Sequence, residues 1–250
     1  RRSLNLPYGQ DELIGELARV NRNLVAVIIS GNAVAMPWVN EVPAIVEAWY
    51  GGTEAGNAIA SVLAGEVNPS GKLPFTFPVR LEDNPAIALD AYPGDGKQVE
   101  YKEGIFVGYR WNDRERIKPL FCFGHGLSYT TFEYGKVTAE GRQMGPDGTI
   151  TVSVPVKNTG SRAGAEIVQL YVSDLKSSLP RPVKELKGFR KITLQPGQEQ
   201  TVSFTIDRKA LSFYDDTKQD WVAEPGAFEA LVGASACDIR GKAAFELTAR

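Results

Sequence analysis

The chain has 250 residues with 28 basic and 30 acidic side chains, and its formal net charge of -2 excludes a strongly basic nucleic-acid binder. An apolar content of 43%, with 10% aromatic residues, is typical of a globular chain and excludes a disordered one. At about 100–200 residues per domain, this length predicts one to two domains.

The N-terminal region begins with a helical pattern followed by a strand pattern. Apolar residues at helical spacing predict an amphipathic helix over 11–22, and a continuous apolar run predicts a buried parallel strand over 24–29. A turn at 30–32 ends this strand. The uncharged stretch 23–40 approaches the length of a membrane span, but the turn and Pro37 interrupt it, so we expect no transmembrane helix.

A second strand and helix follow in the same order. The strand is predicted over 42–49, and the helix from Glu54 to Leu63, with Thr53 as its cap and Gly65 at its end. Alternation of strand, turn and helix is typical of an α/β domain with a mostly parallel sheet.

The pattern changes between the two halves of the chain. Prolines and glycines predict a loop over 78–100, which is long for a compact domain and therefore functional or mobile. An amphipathic strand is predicted over 104–111, and a glycine-rich turn over 123–129.

Beyond residue 131 the helical period disappears and short strands alternate with turns. Apolar residues at period two predict strands over 150–156, 165–172, 187–194, 200–206 and 227–232. This pattern predicts an antiparallel β-sandwich, with Tyr171, Phe189, Phe204 and Phe228 in its core. We therefore expect two domains, 1–130 and 131–250.

The few cysteine and histidine residues restrict the chemistry. Cys122 and Cys237 are far apart in sequence, and we expect two separate packed thiols. His125 is the single histidine, so a site needing two imidazoles is excluded, and a turn position is favoured for it. The sequence contains neither a nucleophile-elbow serine motif nor a phosphate-binding loop.

The candidate binding residues lie where the predicted strands end. Ser30 and Asn32 follow the first strand, while Trp49 ends the second and Glu54 opens the next helix. In open α/β sheets, ligands bind beyond the carboxyl ends of the strands. The alternatives are a simple turn for Ser30 and Asn32, and stabilisation of the helix N-terminus for Glu54.

Three tryptophans and Glu103 are further candidates for a role in binding or catalysis. Trp38, Trp49 and Trp111 carry rings that can stack on a sugar, but their apolar neighbours favour core packing. Glu103 is expected to be a solvated or ion-paired residue rather than a catalytic one.

Several motifs together, in order and spacing, resemble glycoside hydrolase family 3, the β-glucosidase and β-xylosidase family. They cover nearly the whole chain: 4–7, 30–36, 48–54, 68–74, 101–110, 121–129, 156–160 and 226–234. The resemblance implies part of an α/β sandwich domain over 1–130 and an all-β fibronectin type III-like sandwich over 131–250.

The resemblance also implies that the catalytic residues lie outside this chain. Family members are retaining glycosidases whose nucleophile is an aspartate of an N-terminal (β/α)₈ barrel. Their acid/base is a glutamate a few residues before the Leu-x-Leu-Pro stretch, so it is expected just upstream of Arg1. Retention needs the two carboxyl groups about 5–5.5 Å apart. The turn 51–54 departs from the family's Pro-Gly pattern but keeps Glu54.

The family resemblance also defines the expected partners. One partner is the barrel, as a segment of the same chain or as a separate chain. The other is a substrate with a terminal β-glucosyl residue. A homodimer is a further possibility, with the loop 78–100 at the contact. No metal or organic cofactor, nucleic acid or membrane is expected. Glu54, Ser30, Asn32 and Trp49 are the substrate-cleft candidates.

The leading interpretation is that the chain is a non-catalytic portion of a β-glycosidase, and two other functions are compatible with the sequence. One is an enzyme with both carboxylates inside this chain, and the other is a carbohydrate- or protein-binding module. On the leading interpretation the α/β half lacks strands, which leaves an open sheet edge and an uncovered apolar face. The chain alone is therefore predicted to be poorly soluble.

Overall fold

The computed structural model describes residues 3–249, which form two compact units. The first unit comprises the chain up to Val67, Thr76–Gly104 and Ile117–Phe121. The second comprises Asn68–Phe75, Ile105–Arg116 and the chain from Cys122 onward. The α/β part followed by a β-sandwich is confirmed, while the domain boundary near residue 130 stays a prediction.

The first unit contains a pair of parallel strands. Helix α1 (Gln10–Val20) precedes strand β1 (Val25–Ile28), which pairs in parallel with β2 (Ala44–Glu47). The apolar strand residues Ala26 and Ile28 are buried. The predicted helix over 11–22 and the strands over 24–29 and 42–49 are thus confirmed, with shorter bounds.

The helix after β2 begins differently from the prediction. A 3₁₀ turn (Gly52–Glu54) leads into α2 (Ala55–Leu63), so Glu54, not Thr53, occupies the N-cap position. Thr53 is wrong as a cap because it lies inside this extra turn. The end is as predicted: Gly65 adopts a φ of +75°, a left-handed conformation that glycine adopts without steric cost.

The helices of the first unit leave apolar side chains uncovered. No residue of α1 or α2 is buried, and Leu13, Val20 and Leu63 are 58%, 82% and 48% exposed. Within residues 3–249, β1 and β2 pair only with each other. The expected open sheet edge and uncovered apolar face are therefore confirmed for this unit.

The proline-rich loop over 78–100 has local structure of its own. It contains a 3₁₀ turn (Leu81–Asp83) and the short helix α3 (Pro85–Ala88), which begins after Asn84. The Asn84 side-chain oxygen accepts the Ala86 N–H at 3.0 Å. Just before this loop, Phe77 is fully buried and its backbone pairs with Phe121 at 2.8 Å.

The segment over 104–111 is not the predicted strand. Helix α4 (Tyr109–Glu115) replaces it, after Gly108 with a φ of +57°. The positive φ of Gly108, which glycine adopts without steric cost, interrupts the alternating run before the helix. Helical geometry places Tyr109 and Asp113 on one face, because residues four apart are neighbours on a helix.

The second unit is an antiparallel β-sandwich with one short parallel pairing. Its strands are β3 (Phe132–Tyr134), β4 (Thr138–Ala139), β5 (Gln143–Met144), β6 (Thr149–Asn158), β7 (Gly164–Asp174), β8 (Glu185–Leu194), β9 (Glu199–Asp207), β10 (Phe213–Asp215), β11 (Asp220–Val222), β12 (Gly226–Ser235) and β13 (Asp238–Leu247), with helix α5 (Arg208–Leu211) before β10. One sheet has the order β5-β13-β12-β7-β8, and in the other β6 pairs with β9, β3 and β4. Strands β10 and β11 form a separate hairpin. The predicted strands are confirmed as β6, β7, β8, β9 and β12.

Alternate residues of the sandwich strands form its core. Val152, Val154 and Val156 of β6 are fully buried, and the facing sheet contributes residues such as Leu170 and Val232. Phe204 and Phe228 belong to this core as predicted. The prediction for Tyr171 is wrong: it is buried, but on the opposite face of β7, where its ring packs edge-on against Tyr109.

The prediction for Phe189 is wrong, because its side chain is 68% exposed. Ile192 and Leu194 of the same strand are buried. Since side chains alternate along a strand, these two inward residues place Phe189 on the outward face.

Ion pairs hold α4 against the sandwich inside the second unit. The Lys184 ammonium lies 2.5 Å from the Asp113 carboxylate, and both groups are largely buried. Arg110 contacts Glu185 at 3.1 Å, and the Tyr109 hydroxyl accepts the Leu186 N–H at 2.9 Å. Helix α4 is therefore fixed to β8 and the segment before it by charged and polar contacts.

Cys122 and Cys237 form a disulfide, so the prediction of separate thiols is wrong. The turn between β12 and β13 lies beside the segment that contains Cys122, where Ala236 donates its N–H to the Phe123 carbonyl at 3.0 Å. The Gln169 amide of β7 also donates to Gly124 at 3.2 Å. Distance along the sequence did not indicate this proximity, which comes from the strand pairing.

Replacing both cysteines (Cys122→Ser with Cys237→Ser) should destabilise the second unit. The disulfide closes a loop with a sequence separation of 115 residues. Loss of this constraint on the unfolded chain is expected to lower the free energy of unfolding by about 2–5 kcal/mol. Denaturant titration with and without reductant measures it. The account is contradicted if reductant leaves the wild-type midpoint unchanged.

Removing the charge of Asp113 should also destabilise the second unit. Asp113→Ala leaves the Lys184 ammonium buried without its partner, which is expected to cost about 3 kcal/mol. Glu115→Ala, on the same helix but in a more exposed pair with Arg114, is the control and should cost less than about 1 kcal/mol. Equal losses for the two variants in denaturant titration would contradict the assigned role of the buried pair.

Candidate functional site

The candidate site lies in the first unit, at the edge where β1 and β2 end. Parallel pairing brings the carboxyl ends of both strands to the same edge, since Ile28 faces Glu47. Ser30 follows β1, and Trp49 follows β2. The last backbone bond of this ladder joins the Ala48 N–H to the Ile28 carbonyl at 2.8 Å.

The turn after β1 is closed by its own side chain. The Ser30 hydroxyl donates to the Asn32 carbonyl at 2.8 Å and accepts the Asn32 N–H at 3.2 Å. Asn32 is exposed, while Ser30 is partly buried. Ser30 therefore shapes the turn, and Asn32 presents its amide to solvent.

The segment after β2 turns sharply at Trp49. This residue has a φ of +52°, which is a strained conformation for a bulky side chain. Its half-buried ring packs edge-on against Phe77, with 6.1 Å between ring centroids. Trp38 and Trp111, the other tryptophans weighed for sugar stacking, are core residues with 2% and 4% exposure.

Tyr50 and Gly31 bring the two turns into contact. A Cβ on Gly31 would lie 2.7 Å from Cε2 of the Tyr50 ring, so only glycine allows the ring its position over the first turn. The Tyr50 side chain is 76% exposed. An aromatic ring thus lies open to solvent beside Ser30 and Asn32, which sequence reasoning did not predict.

Glu54 lies on the α2 side of this edge. Its carboxylate is exposed and accepts a hydrogen bond from the Asn57 amide at 2.5 Å. The bond joins residues of neighbouring helical turns, so Glu54 is held by its own helix. Its N-cap position is that of the predicted helix-terminus residue, while its role in a substrate cleft stays a prediction.

Glu47, which sequence reasoning missed, carries a carboxyl at this edge whose pKa is raised. Its Oε1 accepts the Trp49 N–H at 3.3 Å. Burial raises the pKa of Glu47 to about 7, against the opposing effect of the backbone N–H groups of Trp49 and Ser30. A single carboxylate within the apolar run of 42–49 was the available signal.

Glu103 and His125 differ in how far they follow the predictions. Glu103 is not solvated as predicted, because it is 8% exposed and its Oε2 is buried without a hydrogen-bond partner among residues 3–249. That it is not catalytic stays a prediction. His125 lies in a turn as predicted, where its N–H donates to the Cys122 carbonyl at 3.0 Å. Burial, followed by the charge of Lys72, lowers the pKa of His125.

Residues 3–249 contain neither a cluster of metal-binding side chains nor a helix suited to span a membrane. Within the described part of the chain, no three His, Cys, Asp or Glu side chains are grouped so that they could hold a metal ion. None of the helices in residues 3–249 has both the length and the apolar character that a membrane span requires.

Comparison with known families defines the class of this chain. Residues 1–109 match the model of the glycosyl hydrolase family 3 C-terminal domain, and residues 166–236 match that of the fibronectin type III-like domain. The class is therefore the C-terminal portion of a glycosyl hydrolase. The chain belongs to glycosyl hydrolase family 3, and the resemblance read from its motifs is confirmed.

Relatives agree with this assignment over almost the whole chain. It is 58% identical over 248 residues to beta-glucosidase BoGH3A of Bacteroides ovatus, covering 98% of this chain and 33% of the relative. It is 51% identical to thermostable beta-glucosidase B of Acetivibrio thermocellus, covering 96% of this chain and 31% of that protein.

A solved structure shows the same fold. The beta-glucosidase of Kluyveromyces marxianus in complex with glucose superimposes with a TM-score of 0.93 at 42% identity, covering 99% of this chain and 29% of that one. The chain thus spans about one third of the length of the curated relatives it matches.

Gly31→Ala is expected to displace the Tyr50 ring. The added methyl group would overlap Cε2, and because the ring is exposed it can rotate away, so the free energy of unfolding should change by less than about 1 kcal/mol. Ring resonances of Tyr50 in NMR spectra measure the displacement. Gly15→Ala, where a Cβ meets no atom within 4 Å, is the control. Unchanged Tyr50 resonances in Gly31→Ala would contradict the packing described.

Proposed function

We propose that this chain is the C-terminal portion of a retaining β-glucosidase that hydrolyses terminal non-reducing β-D-glucosyl residues. The observation that carries the proposal is the 58% identity to a beta-glucosidase over 98% of the chain. The catalytic aspartate is assigned to an N-terminal (β/α)₈ barrel, and the acid/base glutamate to a loop of the α/β sandwich domain just upstream of Arg1.

The surface of the first unit supports a role within a larger assembly. Helices α1 and α2 bury no residue, and the side chains of Leu13 and Val20 are more than half exposed. Uncovered apolar side chains of this kind favour association with further protein. The N-terminal portion of the enzyme is the proposed partner, and a glucoside is the proposed substrate.

Within this assembly, the edge formed by the ends of β1 and β2 is proposed to border the substrate cleft. Ser30 and Asn32 contribute a polar turn, and Trp49 and Glu54 follow β2. Their proposed role is to shape the region that receives the leaving group, since neither turn places two carboxylates together for acid/base work. No cofactor is needed, because two carboxyl groups supply both the acid and the nucleophile.

A chimera tests the proposed function directly. This chain replaces the matching C-terminal third of the Bacteroides ovatus relative, and hydrolysis of an aryl β-glucoside is measured beside the parent enzyme. We expect activity comparable to that of the parent, and none from this chain alone. A folded, full-size chimera without activity would contradict the proposal, as would glycosidase activity of the isolated chain.

Glu54→Gln in this chimera tests the proposed cleft role of Glu54. If the carboxylate borders the substrate, loss of its charge should lower kcat/KM by about threefold to tenfold, because roughly 1 kcal/mol of binding is removed. Glu12→Gln, an exposed glutamate of α1, is the control and should leave kcat/KM unchanged. An unchanged kcat/KM for Glu54→Gln would overturn the cleft role of that residue.

A further inference from the structure

The hairpin of β10 and β11, in the second unit, carries two exposed aromatic side chains. Tyr214 and Trp221 face each other directly across the antiparallel pair and are 49% and 64% exposed. Their ring centroids lie 5.9 Å apart, with an angle of 71° between the ring planes. Directly opposed residues of an antiparallel pair project from the same face, so the two rings form one aromatic surface, which we call the hairpin platform.

The other face of the hairpin packs inward. Phe213 and Val222 form the neighbouring pair of the ladder and are both partly buried. The Arg181 guanidinium lies over the Phe213 ring, 5.2 Å from its centroid, and is itself paired with Asp174 and Glu185. Packing of the hairpin therefore uses Phe213 and Val222 and leaves the hairpin platform to solvent.

The turn between the two strands is held by Asp215. Its Oδ1 accepts the Thr217 N–H at 3.0 Å and the Thr217 hydroxyl at 2.6 Å, while its Oδ2 lies 2.9 Å from the Lys218 ammonium. Asp215 is buried, and Gln219 follows with a φ of +53°. A turn bonded in this way presents the hairpin platform in a fixed geometry, which reduces the ordering cost of binding a ligand.

The chemistry of the hairpin platform suits a sugar ring. The face of an aromatic ring carries partial negative charge and attracts the C–H groups of a pyranose. The phenol hydroxyl of Tyr214 and the indole N–H of Trp221 are polar groups that can hydrogen-bond to sugar hydroxyls. The two side chains therefore offer both kinds of contact that a sugar makes.

The charge around the hairpin platform favours a neutral ligand. Residues 213–224 contain one basic side chain and four acidic ones: Lys218, Asp215, Asp216, Asp220 and Glu224. Lys218 is paired with Asp215, whereas Asp216 and Asp220 add negative charge at exposed positions. Repulsion between like charges disfavours a uronic acid polymer. Acidic residues are also depleted at the centre of protein interfaces, so a neutral glycan fits this surface better than a protein does.

We propose that the hairpin platform binds a glucosyl unit of a neutral β-glucan chain, which stacks on the rings of Tyr214 and Trp221 and bonds to their polar groups. The inference rests on the proposed function, in which the enzyme acts on terminal β-glucosyl residues. A second contact with a long substrate raises the effective concentration of its chain end near the enzyme.

Cross-strand packing of aromatic rings also stabilises a hairpin without any ligand, so binding and stability are measured separately. Trp221→Ala removes the more exposed ring, and Trp221→Phe keeps a smaller ring at the same place. Phe189→Ala removes another exposed aromatic ring of the same unit and is the matched control. Each substitution is made in the chimera described above, and the Tm of each variant is compared with that of wild type.

Binding is measured by electrophoresis through native gels that contain a soluble mixed-linkage β-glucan, with gels lacking polymer as the reference. We expect the unsubstituted chimera to be retarded, and Trp221→Ala to weaken the apparent affinity about threefold to tenfold. Trp221→Phe should keep part of the retardation and Phe189→Ala all of it. Gels with polygalacturonate, an anionic polymer, should show no retardation that depends on Trp221.

Equal retardation of Trp221→Ala and the unsubstituted chimera in the β-glucan gel would overturn the proposal. A lower Tm of Trp221→Ala with unchanged retardation would overturn it as well, since the ring would then serve hairpin packing or a contact with the N-terminal portion. An inactive chimera whose retardation still depends on Trp221 would contradict the proposed function and support the hairpin platform.

Discussion

The parallel pairing of β1 with β2 is the constraint on which the candidate site depends. Parallel strands end at the same edge, so the turn after Ile28 and the turn after Glu47 are neighbours although they are far apart in sequence. Backbone pairing stops at Ala48, and the donors beyond it need another acceptor. The Glu47 carboxyl accepts the Trp49 N–H, Gly31 makes room for the Tyr50 ring, and an exposed polar and aromatic edge results.

The second unit is stabilised by a dry apolar core and by buried polar contacts. Valines of β6 pack against residues of the facing sheet to form a dry core, and burial of this apolar surface is the main source of its stability. Polar contacts then attach irregular segments to the sandwich: Lys184 pairs with Asp113 of α4, and the disulfide joins Cys122 to the turn after β12. Such buried pairs cost desolvation and become favourable only when both partners are present.

Regular apolar patterns made much of the fold predictable from the sequence. The strands of the sandwich and the pair β1–β2 follow from alternating and continuous apolar runs, while motif order indicated the family. The strand predicted over 104–111 is wrong, because the alternating residues are followed at Gly108 by the start of helix α4. The disulfide and the packing of Tyr50 on Gly31 depend on tertiary proximity, which spacing does not encode. The sequence shows Glu47 as a single carboxylate in an apolar strand, but it does not show that the carboxyl is buried.

We propose that this chain completes a glycosidase by binding the N-terminal portion that carries the catalytic carboxyls. Native mass spectrometry after co-expression of the chain with the N-terminal two thirds of a close relative, as two separate polypeptides, tests it most directly. We predict a one-to-one complex that contains the 27.2 kDa chain. The account is contradicted if both polypeptides are folded and soluble but appear only as separate species.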